Sequence, residues 1–106
     1  MAEMKKYNKL IRDRVPEVLE RKGIECSMRV ADNNEYKEKL LEKLREEVNE
    51  LIEDKNEEEL ADVLEVIDAL FEGFGFSRQN VERLKEEKFL ERGGFKKRLI
   101  LEETRE

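Results

Sequence analysis

Two short acidic clusters, Glu46-Glu47-Val48-Asn49-Glu50 and Glu59-Leu60-Ala61-Asp62, lie twelve positions apart measured from Glu47 to Glu59. In each, two carboxylates three positions apart leave one face of a helix about 5–6 Å from each other. Four carboxylates converging from two helices make a hard-oxygen pocket, the ligand set that Mg²⁺ takes while it grips a phosphate chain. The chemistry this suggests is that of an enzyme acting on phosphates. No histidine is present, which removes histidine general bases and disfavours zinc.

Spacing alone is a weak criterion, because 23 of the 28 acidic residues are Glu and chance at that density yields roughly five Glu-x-x-Glu pairs. Position relative to the apolar stripe discriminates better. On the first helix Tyr36, Leu40, Leu41, Leu44, Val48, Leu51 and Ile52 fill an arc of about 160° at about 100° per residue. Glu47 falls inside that arc, and Glu50 about 40° beyond its edge. On the second helix Glu59 falls inside the arc that runs from Val66 to Leu64, and Asp62 about 40° outside it. Each helix thus carries one carboxylate within the stripe to be buried and one at its margin. A buried ionised carboxylate needs a partner or a metal. Structural ion pairs would give the same pattern. Lys37, Lys39, Lys43, Arg45 and Lys55, however, are expected mostly on the outer faces, which leaves a divalent cation as the counter-charge. Glu46, Glu58, Glu65 and Asp68 are expected to be solvated or outside the ligand set.

The elements that must position these groups are legible in outline. Asp54-Lys55-Asn56 interrupts the pattern, and so short a connection makes the two helices antiparallel neighbours. Folding about residue 55 pairs position i with about 110 − i, which brings Glu47, Glu50, Glu59 and Asp62 into one layer. Ahead of the hairpin, Pro16 suits the first turn of a short helix ending at Gly23. Asp32-Asn33-Asn34 supplies a cap for the long helix, which runs to about residue 54. The second long helix is expected over about 57–73, stopping in Gly73-Phe74-Gly75-Phe76. Ser77 caps a weaker helix to Arg92, broken by Gly93-Gly94. Alternation over 24–31 and apolar–basic residues over 95–102 predict a small two-stranded β element. The expected fold is mainly α, a single domain over 1–106. Apolar arcs this wide exceed what one hairpin covers, so two hairpins are expected to close a four-helix bundle in a homodimer or higher homo-oligomer.

Composition narrows the partners. Residues 34–72 hold five basic and fifteen acidic residues (net −10), while residues 1–33 and 73–106 are each +2. An acidic centre argues against duplex nucleic acid and suits a metal-chelated polyanion. The single cysteine, Cys26, leaves no intramolecular disulfide. No apolar run approaches membrane-spanning length and no signal-peptide pattern is present, so no membrane partner and a cytoplasmic location are expected.

Several of these stretches together resemble a known family. Leu10-Ile11-Arg12-Asp13-Arg14-Val15-Pro16, the two acidic clusters, the extension Val63-Leu64-Glu65, and Glu91-Arg92-Gly93-Gly94-Phe95-Lys96-Lys97-Arg98 resemble the MazG-like nucleotide pyrophosphohydrolases. The closer resemblance is to a branch described as phosphoribosyl-ATP pyrophosphohydrolase-like, or house-cleaning NTP pyrophosphatase, and it covers about residues 6–103. Ala61 stands where many relatives carry Gly. The resemblance implies Glu47, Glu50, Glu59 and Asp62 as ligands of Mg²⁺, with Mn²⁺ as a substitute. It also implies hydrolysis of a nucleoside triphosphate between the α and β phosphates, giving a monophosphate and pyrophosphate. Glu50 or Glu47 is then the group that positions or deprotonates the attacking water, and Lys9, Arg12, Arg92, Lys96 and Lys97 are candidates to hold the phosphates. The alternatives are a phosphoribosyl-ATP pyrophosphohydrolase of histidine synthesis and a non-enzymatic helical module that binds a protein.

Overall fold

Each of the three longer helices begins at a side chain that accepts a hydrogen bond from its first turn. In the computed structural model, which describes residues 4–106, the elements in order are α1 (Val15–Arg21), α2 (Asn33–Asp54), α3 (Glu57–Phe74) and α4 (Arg78–Arg92). The Asp32 carboxylate accepts from the Glu35 N–H at 2.8 Å, Asn56 Oδ1 from the Glu59 N–H at 2.9 Å, and Ser77 Oγ from the Asn80 N–H at 3.1 Å. Each bond satisfies one of the donors that a helix start leaves unpaired. Pro16 lies in the first turn of α1, where its missing N–H costs nothing.

α2 stops where Lys55 takes a left-handed conformation (φ 52°) and returns its N–H to the Leu51 carbonyl at 2.8 Å. Asn56 then opens α3, so two residues reverse the chain and set α3 against α2. At the far end of the hairpin the helices approach closely. A Cβ at Gly73 would stand 2.6 Å from Leu40 Cδ1 and 3.2 Å from Tyr36 Cε2, which is why the position is glycine. Leu40 (1% exposed), Val63 and Val66 form the apolar core, and Glu47 is buried with them.

The non-helical segment before α1 is tied to the hairpin by charged side chains. Lys39 Nζ donates to the Asn8 carbonyl at 2.8 Å, and Lys9 Nζ lies 3.3 Å from Glu46 Oε1. Arg29, in the stretch between α1 and α2, pairs with Glu35 in the first turn of α2.

The β element expected at about 24–31 and 95–102 is not found: no strand occurs among the described residues. Alternation supplies two faces but not the backbone partner that a ladder needs. Ile24, Met28 and Val30 remain exposed, and Arg98 adopts φ 60°, which breaks an extended run. Cys26 is exposed and unpaired.

The described residues up to Gly75 form one compact unit, and Phe76–Glu106 form another. In the second unit α4 buries no residue, and its stop at Gly93 (φ 75°) is followed by turns. On the hairpin, Leu41, Ile52, Leu60 and Leu64 keep about half of their surface exposed. Among the described residues no helix is long and apolar enough to cross a membrane.

Candidate metal centre

Glu47 and Glu50 leave one face of α2, and Glu59 and Asp62 leave the facing side of α3. One carboxylate oxygen of each lies within 4.8 Å of those of the other three. The two-residue turn sets this register, and the Asn56 cap fixes the backbone at Glu59. Burial is graded: Glu47 is buried (7% exposed), Glu59 and Asp62 are half-buried, and Glu50 faces solvent. Sequence periodicity had assigned Glu47 and Glu59 to the buried stripe, and these two are the ones that carry unpartnered oxygens. Glu47 Oε2 and Glu59 Oε2 are buried without any hydrogen-bond partner.

Such atoms are rare because a buried carboxylate oxygen without a partner loses its hydration and gains nothing in return. The electrostatics agree. Burial pushes the Glu47 carboxyl above its ordinary range; Lys43 opposes this, while Glu50 and Asp62 reinforce it. Burial also raises the Glu59 carboxyl, helped by the neighbouring Glu50, Asp54 and Asp62 carboxylates. Without a cation the cluster therefore resists full ionisation, and a divalent ion among the four oxygens would reverse that. An all-oxygen donor set with two open buried acceptors fits Mg²⁺ or Mn²⁺.

Basic side chains reach the cluster from two directions. Lys43 was expected on the outer face of α2, yet its Nζ lies 3.2 Å from Glu47 Oε1 and 3.5 Å from Glu46 Oε2. The reason is reach. A lysine four residues before a stripe glutamate can lay its stem along the helix and bring its ammonium over that carboxylate. Arg12 Nη2 donates to Asp62 Oδ1 at 2.9 Å, an approach between residues fifty positions apart that helix periodicity could not anticipate. Lys9 bonds Glu46, which is thereby partnered from both sides and half-buried instead of freely solvated. Of the five candidate phosphate-holding cations, Arg12 thus touches the cluster, and Lys9 reaches Glu46, the residue before Glu47. Arg92, Lys96 and Lys97 belong to the Phe76–Glu106 unit, where they are exposed.

Neither the place of Lys43 over Glu47 nor the Asn56 cap follows from the apolar stripes. Both have a signal: Lys at i with Glu at i+3 and i+4, and Asn three residues before Glu at a helix start. No protein-family model, no curated protein and no solved structure matches the chain.

Proposed function

We propose that the chain is a Mg²⁺-dependent nucleoside triphosphate pyrophosphohydrolase, cleaving between the α and β phosphates to release a nucleoside monophosphate and pyrophosphate. The resemblance to MazG-like enzymes suggests the reaction. The observation that carries it is the four-carboxylate layer with two buried, unpartnered oxygens. Glu47, Glu50, Glu59 and Asp62 would hold the ion, which when bound neutralises phosphate charge and acidifies a ligated water.

The residues divide the remaining work by their surroundings. Glu47, clamped on one oxygen by Lys43 and buried, is suited to hold and not to exchange protons. Glu50, the exposed member, can take a proton from an attacking water and pass it to solvent, so we assign it the base role. Arg12 keeps donors free beyond the one on Asp62, with its side chain more than half exposed, and can accept a phosphate in its fork. Lys9, which bonds Glu46, is a second candidate as a point charge.

The exposed Leu41, Ile52, Leu60 and Leu64 support a second copy as the cover for the hairpin, closing a four-helix bundle around the carboxylate layer. Sedimentation measurements are expected to show a dimer or larger. The function is tested by pyrophosphate release from each common NTP and dNTP and from phosphoribosyl-ATP, with Mg²⁺ and with EDTA. Release from no substrate, together with no Mg²⁺-dependent thermal shift, would replace this reading with that of a protein-binding helical module.

A further inference from the structure

We infer that the carboxylate layer is charge-balanced for a single divalent cation, with Lys43 and Arg12 as built-in counter-charges that set the count at one. This rests on the metal-dependent reading above and deepens it: four carboxylates of this kind would otherwise accommodate two ions as readily as one.

Pairing partners decides the number. Lys43 bridges Glu46 and Glu47, and Lys9 takes the other oxygen of Glu46, so Lys9, Lys43, Glu46 and Glu47 form a neutral foursome. Arg12 and Asp62 form a neutral pair. Among the described residues no basic side chain pairs with Glu50 or Glu59, whose two negative charges match one dication. Asp54 also acts on Glu59, but it is exposed and screened by solvent. The geometry points the same way. Glu47, nine-tenths buried, has Oε1 occupied by Lys43 and only Oε2 left open. With Arg12 on Oδ1 of Asp62, each helix offers one carboxylate already engaged by a cation and one that is not. Two ions need bridging carboxylates with both oxygens available, and enough negative charge to offset their mutual repulsion. Here an ammonium and a guanidinium have taken that place.

This assigns Arg12 two opposed effects. As a cation it repels the ion from a ligand it touches, and as a phosphate donor it attracts the substrate. A residue that merely held Asp62 in position would instead strengthen metal binding.

The test is Mn²⁺ binding to the full chain without nucleotide, by calorimetry and electron paramagnetic resonance. The wild-type protein is expected to bind one ion per chain with the resolved hyperfine signal of an isolated Mn²⁺. In Arg12→Gln, on an exposed side chain that folding should tolerate, the affinity for Mn²⁺ is expected to rise roughly fivefold as the nearby charge is removed, while KM for nucleotide rises. In Lys43→Met/Arg12→Gln, checked for helicity by circular dichroism, a second ion is expected with the broadened signal of a coupled pair. Two ions in the wild type, or weaker or unchanged binding in Arg12→Gln, or a single ion in a folded double variant, would each overturn the inference. Mg²⁺-dependent pyrophosphate release from the wild type would survive any of those results. No ion bound by the wild type would remove the metal-dependent reading as well.

Discussion

The α2–α3 hairpin and α4 start from the same local instructions and end differently. Each helix has a polar cap bonded to its first turn, and α2 and α4 are both rich in charge. Yet every buried residue among those described lies on α2 or α3, and α4 buries none. Val81, Leu84, Phe89 and Leu90 all stay more than a third exposed, whereas Leu40, Val63 and Val66 are buried where α2 meets α3, so capping makes α4 a helix without giving it a core. The difference teaches where a site can be built. Holding like charges together requires packing that can resist their repulsion, and only the hairpin supplies it. Glu47 is an acid kept inside the apolar stripe. The exposed acids of α4, such as Glu87 in its pair with Arg83, need no such support.

The sharpest way to break this contrast is to remove charge from each region. Glu47→Gln or Glu59→Gln is expected to lower kcat/KM by at least about a hundredfold, as loss of a charged ligand removes stabilisation of the developing phosphate charge. In the metal-free protein Glu59→Gln should also raise the Tm, because it removes a carboxylate that burial and the neighbouring Glu50, Asp54 and Asp62 disfavour and that no cation pairs with, whereas Glu47→Gln also breaks the pair with Lys43. In α4, Arg83→Gln breaks an exposed ion pair and is expected to shift stability by less than about 0.5 kcal/mol, with turnover unchanged. Full turnover in Glu47→Gln would erase the distinction.

Ligand addition tests it without mutation. Binding to the folded state alone stabilises by about 2.7 kcal/mol at a hundredfold excess over Kd. Hydrogen exchange with and without Mg²⁺ should show this gain in α2 and α3 near residues 47–62, while the amides of α4 keep their rates. Equal protection in both regions would mean that the ion acts beyond the hairpin.

Glycine offers a third comparison, smaller in effect. Gly73→Ala would place its Cβ 2.6 Å from Leu40 Cδ1, and Leu40 is 1% exposed with nowhere to move. Overpacking of this kind costs about 1–3 kcal/mol, offset by about 1 kcal/mol of helix propensity, so a net loss of about 1 kcal/mol and a fall in Tm are expected. Gly94→Ala meets only Phe89 Cε2 at 3.4 Å and should be nearly neutral.

Much of the hairpin was legible because helical periodicity is a local rule. The angles of Glu47 and Glu59 within their stripes, and a turn at residue 55, place four carboxylates in one layer without any knowledge of the rest of the chain. What was not legible depends on distance. The bonds of Lys9 to Glu46 and Arg12 to Asp62 join positions 37 and 50 residues apart, and nothing in the periodicity of either helix encodes them. The segment 24–31 fails in the opposite direction: its alternation is a real local signal, but a strand exists only when a second backbone accepts its hydrogen bonds. Lys43 lies between these cases, visible as an i,i+4 partner of Glu47 once the reach of its side chain is considered.

The smallest effect is a matter of sign, and it separates the acids of the layer from an ordinary acid in the same unit. Burial raises the Glu47 and Glu59 carboxyls above the usual value of 4.5, so between 4.5 and their raised values the folded state binds more protons than the unfolded one. Stability must then fall as pH rises through that window, and the metal-free protein should gain stability on acidification from pH 7 toward 4.5. Glu35 behaves conventionally: the Arg29 guanidinium holds it below 4.5, so its contribution is present above that value and is lost as pH falls below it. The two windows lie on opposite sides of 4.5, so the acids of the layer and Glu35 contribute slopes of opposite sign. Saturating Mg²⁺ holds the layer ionised and should reverse the upper slope, so that acidification destabilises by displacing the ion. Chemical denaturation of the wild type and of Glu47→Gln/Glu59→Gln across this range, with Mg²⁺ and with EDTA, isolates the effect as a difference. A metal-free wild type whose stability relative to the double variant falls between pH 7 and 5 would show that these two carboxyls are comfortable as anions, and the hairpin would then hold no more tension than α4.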